Sequence, residues 1–70
     1  MTRNNSYIIE MGLKIKVIRE AKKITLRKLG KLCTMDFTHL CRLENGTQDV
    51  RILTLKSIAD VLEVDVKDFI

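Results

Sequence analysis

Apolar residues recur along this chain at three- and four-residue intervals, the spacing of one face of a helix. Met11, Ile15 and Ile18 share such a face and predict a first helix from about Ile8 to Lys23. Leu13 to Val17 alternates apolar and basic residues as a strand would. The longer spacing decides for helix, and Arg19 to Lys23 continues in good helix formers. Thr25 is a favoured cap for a second helix, Leu26–Cys33, with Leu29 and either Leu32 or Cys33 facing inward. Gly30 in its middle costs about 1 kcal/mol relative to Ala, which points to the close approach of another helix. Thr34-Met35 reads as a turn. Asp36 then caps a third helix, Phe37–Glu44, with Leu40 and Leu43 inward, and Asn45-Gly46 ends it with a residue suited to the left-handed conformation. After a loop, Leu55, Ile58, Ala59 and Leu62 predict a fourth helix over about Ile52–Leu62. Asp65 and Asp68 resemble a capping box for a final helical turn, Val66 to Ile70.

The pattern predicts an all-α fold, a compact bundle of five short helices. Its 70 residues read as a single domain, with residues 1–7 as a flexible N-terminal arm. That length is near the lower limit for an unstapled core, so dimerisation would add stability. Val61, Val64, Val66, Phe69 and Ile70 exceed what one short bundle needs to bury and are the expected dimer surface.

Charge changes the picture. Residues 1–31 carry nine Lys/Arg against two Glu, and residues 32–70 four against seven Asp/Glu. A balance of +7 followed by −3 is typical of proteins that present a basic face to phosphate, though a solvated surface can also segregate its charges. Cys33 and Cys41 sit in helical contexts as small hydrophobes, and with His39 they lack the spacing of a zinc site. Neither metal nor cofactor is expected. No stretch approaches the ~18 apolar residues of a membrane span. With no signal peptide, the reducing cytoplasm is the expected compartment. His39 has neither nucleophile nor second base for company, so no enzyme activity is expected.

The segment ITLRKLGKLCTMDFTHLCRLENG, residues 24–46, carries the candidate chemistry. Two short helices joined by a tight turn are a common way to place a helix in the major groove of DNA. Thr38 and Arg42 lie opposite the buried face of the second of them. Arg42 suits bidentate contact with guanine, and Thr38 an edge or a thymine methyl. Phe37 would cover thymine methyls or else fold back against the preceding helix as a plug. Arg27 and Lys28 stand in a first turn that prefers acids. A bound phosphate would reverse the sign of that cost, so Arg27, Lys28 and Lys31 are candidate phosphate contacts. His39, Asn45 and Arg51 join them as candidates.

From about Gly12 to Ile70 the chain resembles the helix-turn-helix domain of the lambda-repressor and Cro type, often called XRE-like. The resemblance rests on Ile15, Ile18, Arg19, Ile24-Thr25, Leu29, Gly30, Leu32, Met35, Leu40, Leu43, Glu44, Gly46, Leu55, Ile58, Ala59 and Leu62 in one ungapped register. It implies a sequence-specific regulator of transcription that binds double-stranded DNA as a homodimer, with Phe37, Thr38, Cys41 and Arg42 facing bases. It also implies an ion pair between Arg19 and Glu44; the alternative leaves both as ordinary surface charges. No small-molecule ligand and no membrane role are expected. A second reading gives the fold to protein interaction, as in an antitoxin-like adaptor. The chain departs from the family pattern at Leu26, where a phosphate-binding glutamine is usual. Thr34 stands where glycine is usual, and a left-handed threonine costs about 1–2 kcal/mol, so a differently shaped turn is expected. The loop Thr47–Arg51 holds one cation and no proline.

Overall fold

The computed structural model describes residues 6–70, which form four α-helices: α1 Ser6–Ala21, α2 Leu26–Cys33, α3 Phe37–Glu44 and α4 Ile52–Leu62. Leu40 and Leu43 of α3 lie beneath Ile15 of α1 and Leu29 of α2 in one core, which Leu55, Ile58, Ala59 and Leu62 of α4 complete. The fifth helix is a correction. Val66–Asp68 is a single 3-10 turn, with the Asp65 N–H donating to Asp68 Oδ2 at 3.0 Å. It stops there because Phe69 turns into the core and is only 1% exposed.

That burial also corrects the expected dimer surface. Phe69 is a core residue, and Val61, Val64 and Val66 are half-buried against the same core. Ile70 is 72% exposed, and the three valines keep part of their surface open. With few aromatic residues to fill the bundle, the C-terminal valines and Phe69 complete this chain's own interior.

α1 begins and ends two residues earlier than expected. Ser6 and Tyr7 are helical and do not belong to an arm; the rest of the predicted arm, residues 1–5, lies outside the described residues. Ile15 points inward while Leu13 and Val17, 55% and 56% exposed, point out, which accounts for the strand-like alternation. On α2, Cys33 takes the inward position and Leu32 is exposed. Burial pushes the Cys33 thiol pKa up, which keeps it in the poorly nucleophilic protonated form. Gly30 is explained by the turn that follows it and by the approach of α3, as the sequence suggests. A Cβ there would meet the Met35 carbonyl oxygen at 3.0 Å and Leu40 of α3 at 3.4 Å.

The turn itself keeps the left-handed shape. Thr34 adopts φ 56°, ψ 47°. The Met35 N–H donates to the Gly30 carbonyl at 2.8 Å and the Thr34 N–H to that of Lys31 at 3.3 Å. This is the Schellman arrangement, in which two carbonyls orphaned at the helix end regain donors. The expectation of a differently shaped turn fails because these bonds, together with burial of Leu29 and Leu40 on either side, outweigh the threonine's cost. The other helices end the same way, with Lys23 (φ 60°), Gly46 (φ 72°) and Glu63 (φ 61°) in the left-handed position. The Lys23 stop is what shortens α1. Thr34→Gly should therefore raise stability by about 0.5–1 kcal/mol, the relieved strain less the added entropy of the unfolded chain. A urea titration checks this, and an unchanged or lower midpoint would count against strain at Thr34.

Candidate nucleic-acid interface

α2 and α3 are held at a fixed angle by shared burial of Leu29 and Leu40, and their outward surfaces form one face. The Thr25 hydroxyl accepts from the Lys28 N–H at 3.1 Å and starts α2 where expected. Asp36 holds the N-cap position of α3, but its side chain makes no capping bond.

On α3, Thr38 and Arg42 are exposed, opposite buried Leu40 and Leu43. Arg42 has no ion-pair partner among the described residues. Cys41 is half-buried, with Sγ 3.7 Å from Asn45 Nδ2. His39 is also half-buried, and its ring nitrogen lies 3.4 Å from Gln48 Nε2, which ties it to the loop after α3. Asn45 and Arg51 are exposed on either side of that loop, Arg51 at the N-cap position of α4.

The first turn of α2 carries no acid. Arg27, Lys28 and Lys31 are all exposed, but they do not share one location. Arg27 and Lys31 line a groove of about 360 Å³ together with Gly30, Met35, Asp36 and Phe37, and Lys28 is not among its walls. Phe37 lies against α2, with the Arg27 guanidinium 4.5 Å from its ring centroid. This geometry is the folded-back reading of Phe37 in altered form: the ring is covered by a cation, and 39% of the residue remains exposed. Spacing alone gave no sign of this stack, because the two residues meet only once α2 and α3 pack.

Behind this face, Arg19 of α1 reaches the last residue of α3. Its Nε donates to Glu44 Oε2 at 2.6 Å and its Nη2 to Oε1 at 3.1 Å. Nη1 donates to the Ile24 carbonyl at 2.7 Å. The two side chains are 9% and 6% exposed, so neither is an ordinary surface charge. The bond to Glu44 raises the Arg19 pKa above its ordinary value, against the opposing effect of burial. The pair fixes the end of α3 against α1 and takes no part in the exposed face. No described helix is long and apolar enough to cross a membrane.

The sequence profile of the helix-turn-helix family HTH_3 matches residues 15–69. Among solved structures, the fold is similar to the clp gene regulator ClgR from Corynebacterium glutamicum, with 27% identity, a TM-score of 0.86, and 90% of this chain and 82% of that one covered. It is similar to the restriction-modification controller protein C.AhdI from Aeromonas hydrophila at 19% identity and a TM-score of 0.87, over 90% and 96% of the two chains. The DNA-binding domain of BldD superposes with a TM-score of 0.86 at 20% identity, over 97% of this chain and 99% of that one. Comparison with curated proteins gives no match.

Proposed function

The chain belongs to the HTH_3 helix-turn-helix family, and from that membership we propose that it is a sequence-specific DNA-binding regulator of transcription, acting as one domain and without enzymatic chemistry. One observation carries the reading: Thr38 and Arg42 stand exposed on the face of α3 turned away from its core residues, beside the cationic first turn of α2. A helix so placed enters the major groove, where Arg42 takes guanine O6 and N7 and Thr38 an adjacent edge or methyl. Cys41 lies beside them at the helix edge. Lys28, Lys31, His39, Asn45 and Arg51 surround α3 as phosphate contacts, which set register and carry no sequence information.

The working form is a homodimer on an inverted repeat, with recognition helices about 34–36 Å apart. Ile70 remains from the expected dimer surface, and Tyr7 of α1, 78% exposed, lines the same small cavity. A protein-binding adaptor is the second reading, favoured by the exposed Leu13 and Val17 of α1, with the partly exposed Ile9 next to Gly46 at their margin.

A salt titration of binding to random-sequence duplex separates the two. The DNA reading expects affinity to fall steeply as salt rises, because each phosphate contact releases a counterion. No binding at low salt would end it in favour of the adaptor. Arg42→Ala should leave the random-duplex affinity within a few-fold and cost about 1–3 kcal/mol on the selected site alone. An equal loss on every sequence would make Arg42 a phosphate contact.

A further inference from the structure

Arg27 differs from the other cations of the exposed face in having a support. Its guanidinium lies 4.5 Å from the Phe37 ring centroid, well inside the ~6 Å range of cation–π attraction. A long arginine side chain is otherwise mobile, and a stacked one keeps its plane. Phe37 takes the side of the guanidinium carbon, while no described carboxylate takes its N–H donors. Asp36 lines the same groove but makes no ion pair with Arg27, and Lys31 adds a second cation to that groove. A planar donor edge beside another cation fits two oxygens of one phosphate diester.

We propose that Phe37 is a positioning residue that holds Arg27 at the seam of α2 and α3, where Arg27 grips a DNA phosphate. Phe37 acts through Arg27 and does not itself read a base. The role rests on the DNA-binding reading above.

The test is a double-mutant cycle on random-sequence duplex, followed by fluorescence anisotropy. Phe37→Leu should weaken binding about two- to five-fold, the scale of an exposed cation–π contact. Arg27→Ala should weaken it further and reduce the salt slope by about 0.9, one phosphate. In the Arg27→Ala background, Phe37→Leu should add nothing. Phe37→Trp, which keeps a π face, should bind like the parent. Duplex made with deoxyuridine in place of thymine should give the same results. The proposal is overturned if Phe37→Leu costs as much with Arg27 absent, or if its effect vanishes on the deoxyuridine duplex, which would make Phe37 a methyl reader. An NMR measurement on the free protein tests the stack by itself. The Arg27 side-chain protons should be shifted by the ring current and return to ordinary values in Phe37→Leu. If the parent binds no duplex, the DNA reading and this phosphate role both fall, whereas absence of the ring-current shift overturns the stack alone.

Discussion

Glu44→Ala should cost about 3–5 kcal/mol of folding stability, a large share of what a domain of this size has. The substitution strands the Arg19 guanidinium, whose side chain is 9% exposed and whose Nε and Nη2 both donate to the lost carboxylate. Removing one partner of a buried pair costs about 3–5 kcal/mol, mostly because the remaining charge is desolvated without compensation. At about 0.05–0.15 kcal/mol per residue, a domain of this size has roughly 4–10 kcal/mol in total. The loss is therefore comparable with the whole stability of a fold at the low end. Arg19→Lys should cost less, because an ammonium keeps the charge opposite Glu44 while losing the forked geometry and the bond to the Ile24 carbonyl. The double replacement Arg19→Met with Glu44→Leu should recover most of the loss, since no buried charge is then unpaired. Urea unfolding followed by circular dichroism measures all three. Equal and small losses from Glu44→Ala and Arg19→Lys would show that the pair is solvated in solution.

Gly12→Ala should be the second severe change. A Cβ at Gly12 would fall on the Leu43 carbonyl oxygen and lie 2.9 Å from that of Glu44. Both atoms are backbone of the last turn of α3, and the Leu43 carbonyl already accepts from the Gly46 N–H at 3.2 Å. A flexible side chain could move aside, but a helix end locked by its own hydrogen bonds cannot. α1 would have to lift from α3, which would also stretch the Arg19–Glu44 contact. A loss of about 3 kcal/mol or more is expected, at the upper end for overpacking. Gly30→Ala provides the contrast. Its nearest atom lies at 3.0 Å and the next is the end of the Leu40 side chain. Alanine also recovers about 1 kcal/mol of helix propensity there, so the net change should stay within about 1 kcal/mol. Thermal unfolding of the two variants checks the pair, and a Gly12→Ala protein as stable as Gly30→Ala would mean that α1 sits further from α3 than described.

The second, third and fourth helices were legible to the residue because local signals coincide with packing. Thr25 caps where a cap was expected, and Leu40, Leu43, Leu55, Ile58 and Leu62 are buried as their spacing requires. Arg19 and Glu44 were paired through family resemblance; their separation of 25 positions has no local signature. What stayed hidden depends on relations between elements. Counting apolar residues at the C-terminus left a surplus for a partner, yet Phe69 fills the interior because one 3-10 turn swings it inward. Gly12 looked like any helix glycine, since nothing in its own sequence context indicates the carbonyls that press on it. Arg27 and Phe37 lie ten positions apart across a turn, so no local spacing indicates their contact. Lysine gives no warning of a left-handed residue, so the early stop of α1 at Lys23 has no local signal.

Three of the four helix ends in this small domain are closed by residues other than glycine in the left-handed region. Buried or half-buried residues on either side (Arg19 and Ile24, Leu29 and Leu40, Leu62 and Val64) flank each turn, so the identity of the turn residue is only a modest perturbation, about 1–2 kcal/mol. Such positions are open to neutral drift: a mutation away from glycine is tolerated while the core stays intact, and a reversion is favourable whenever stability becomes limiting. The chain thus carries a latent tolerance, three sites where a single glycine could offset a damaging change elsewhere without touching the surface that would meet DNA.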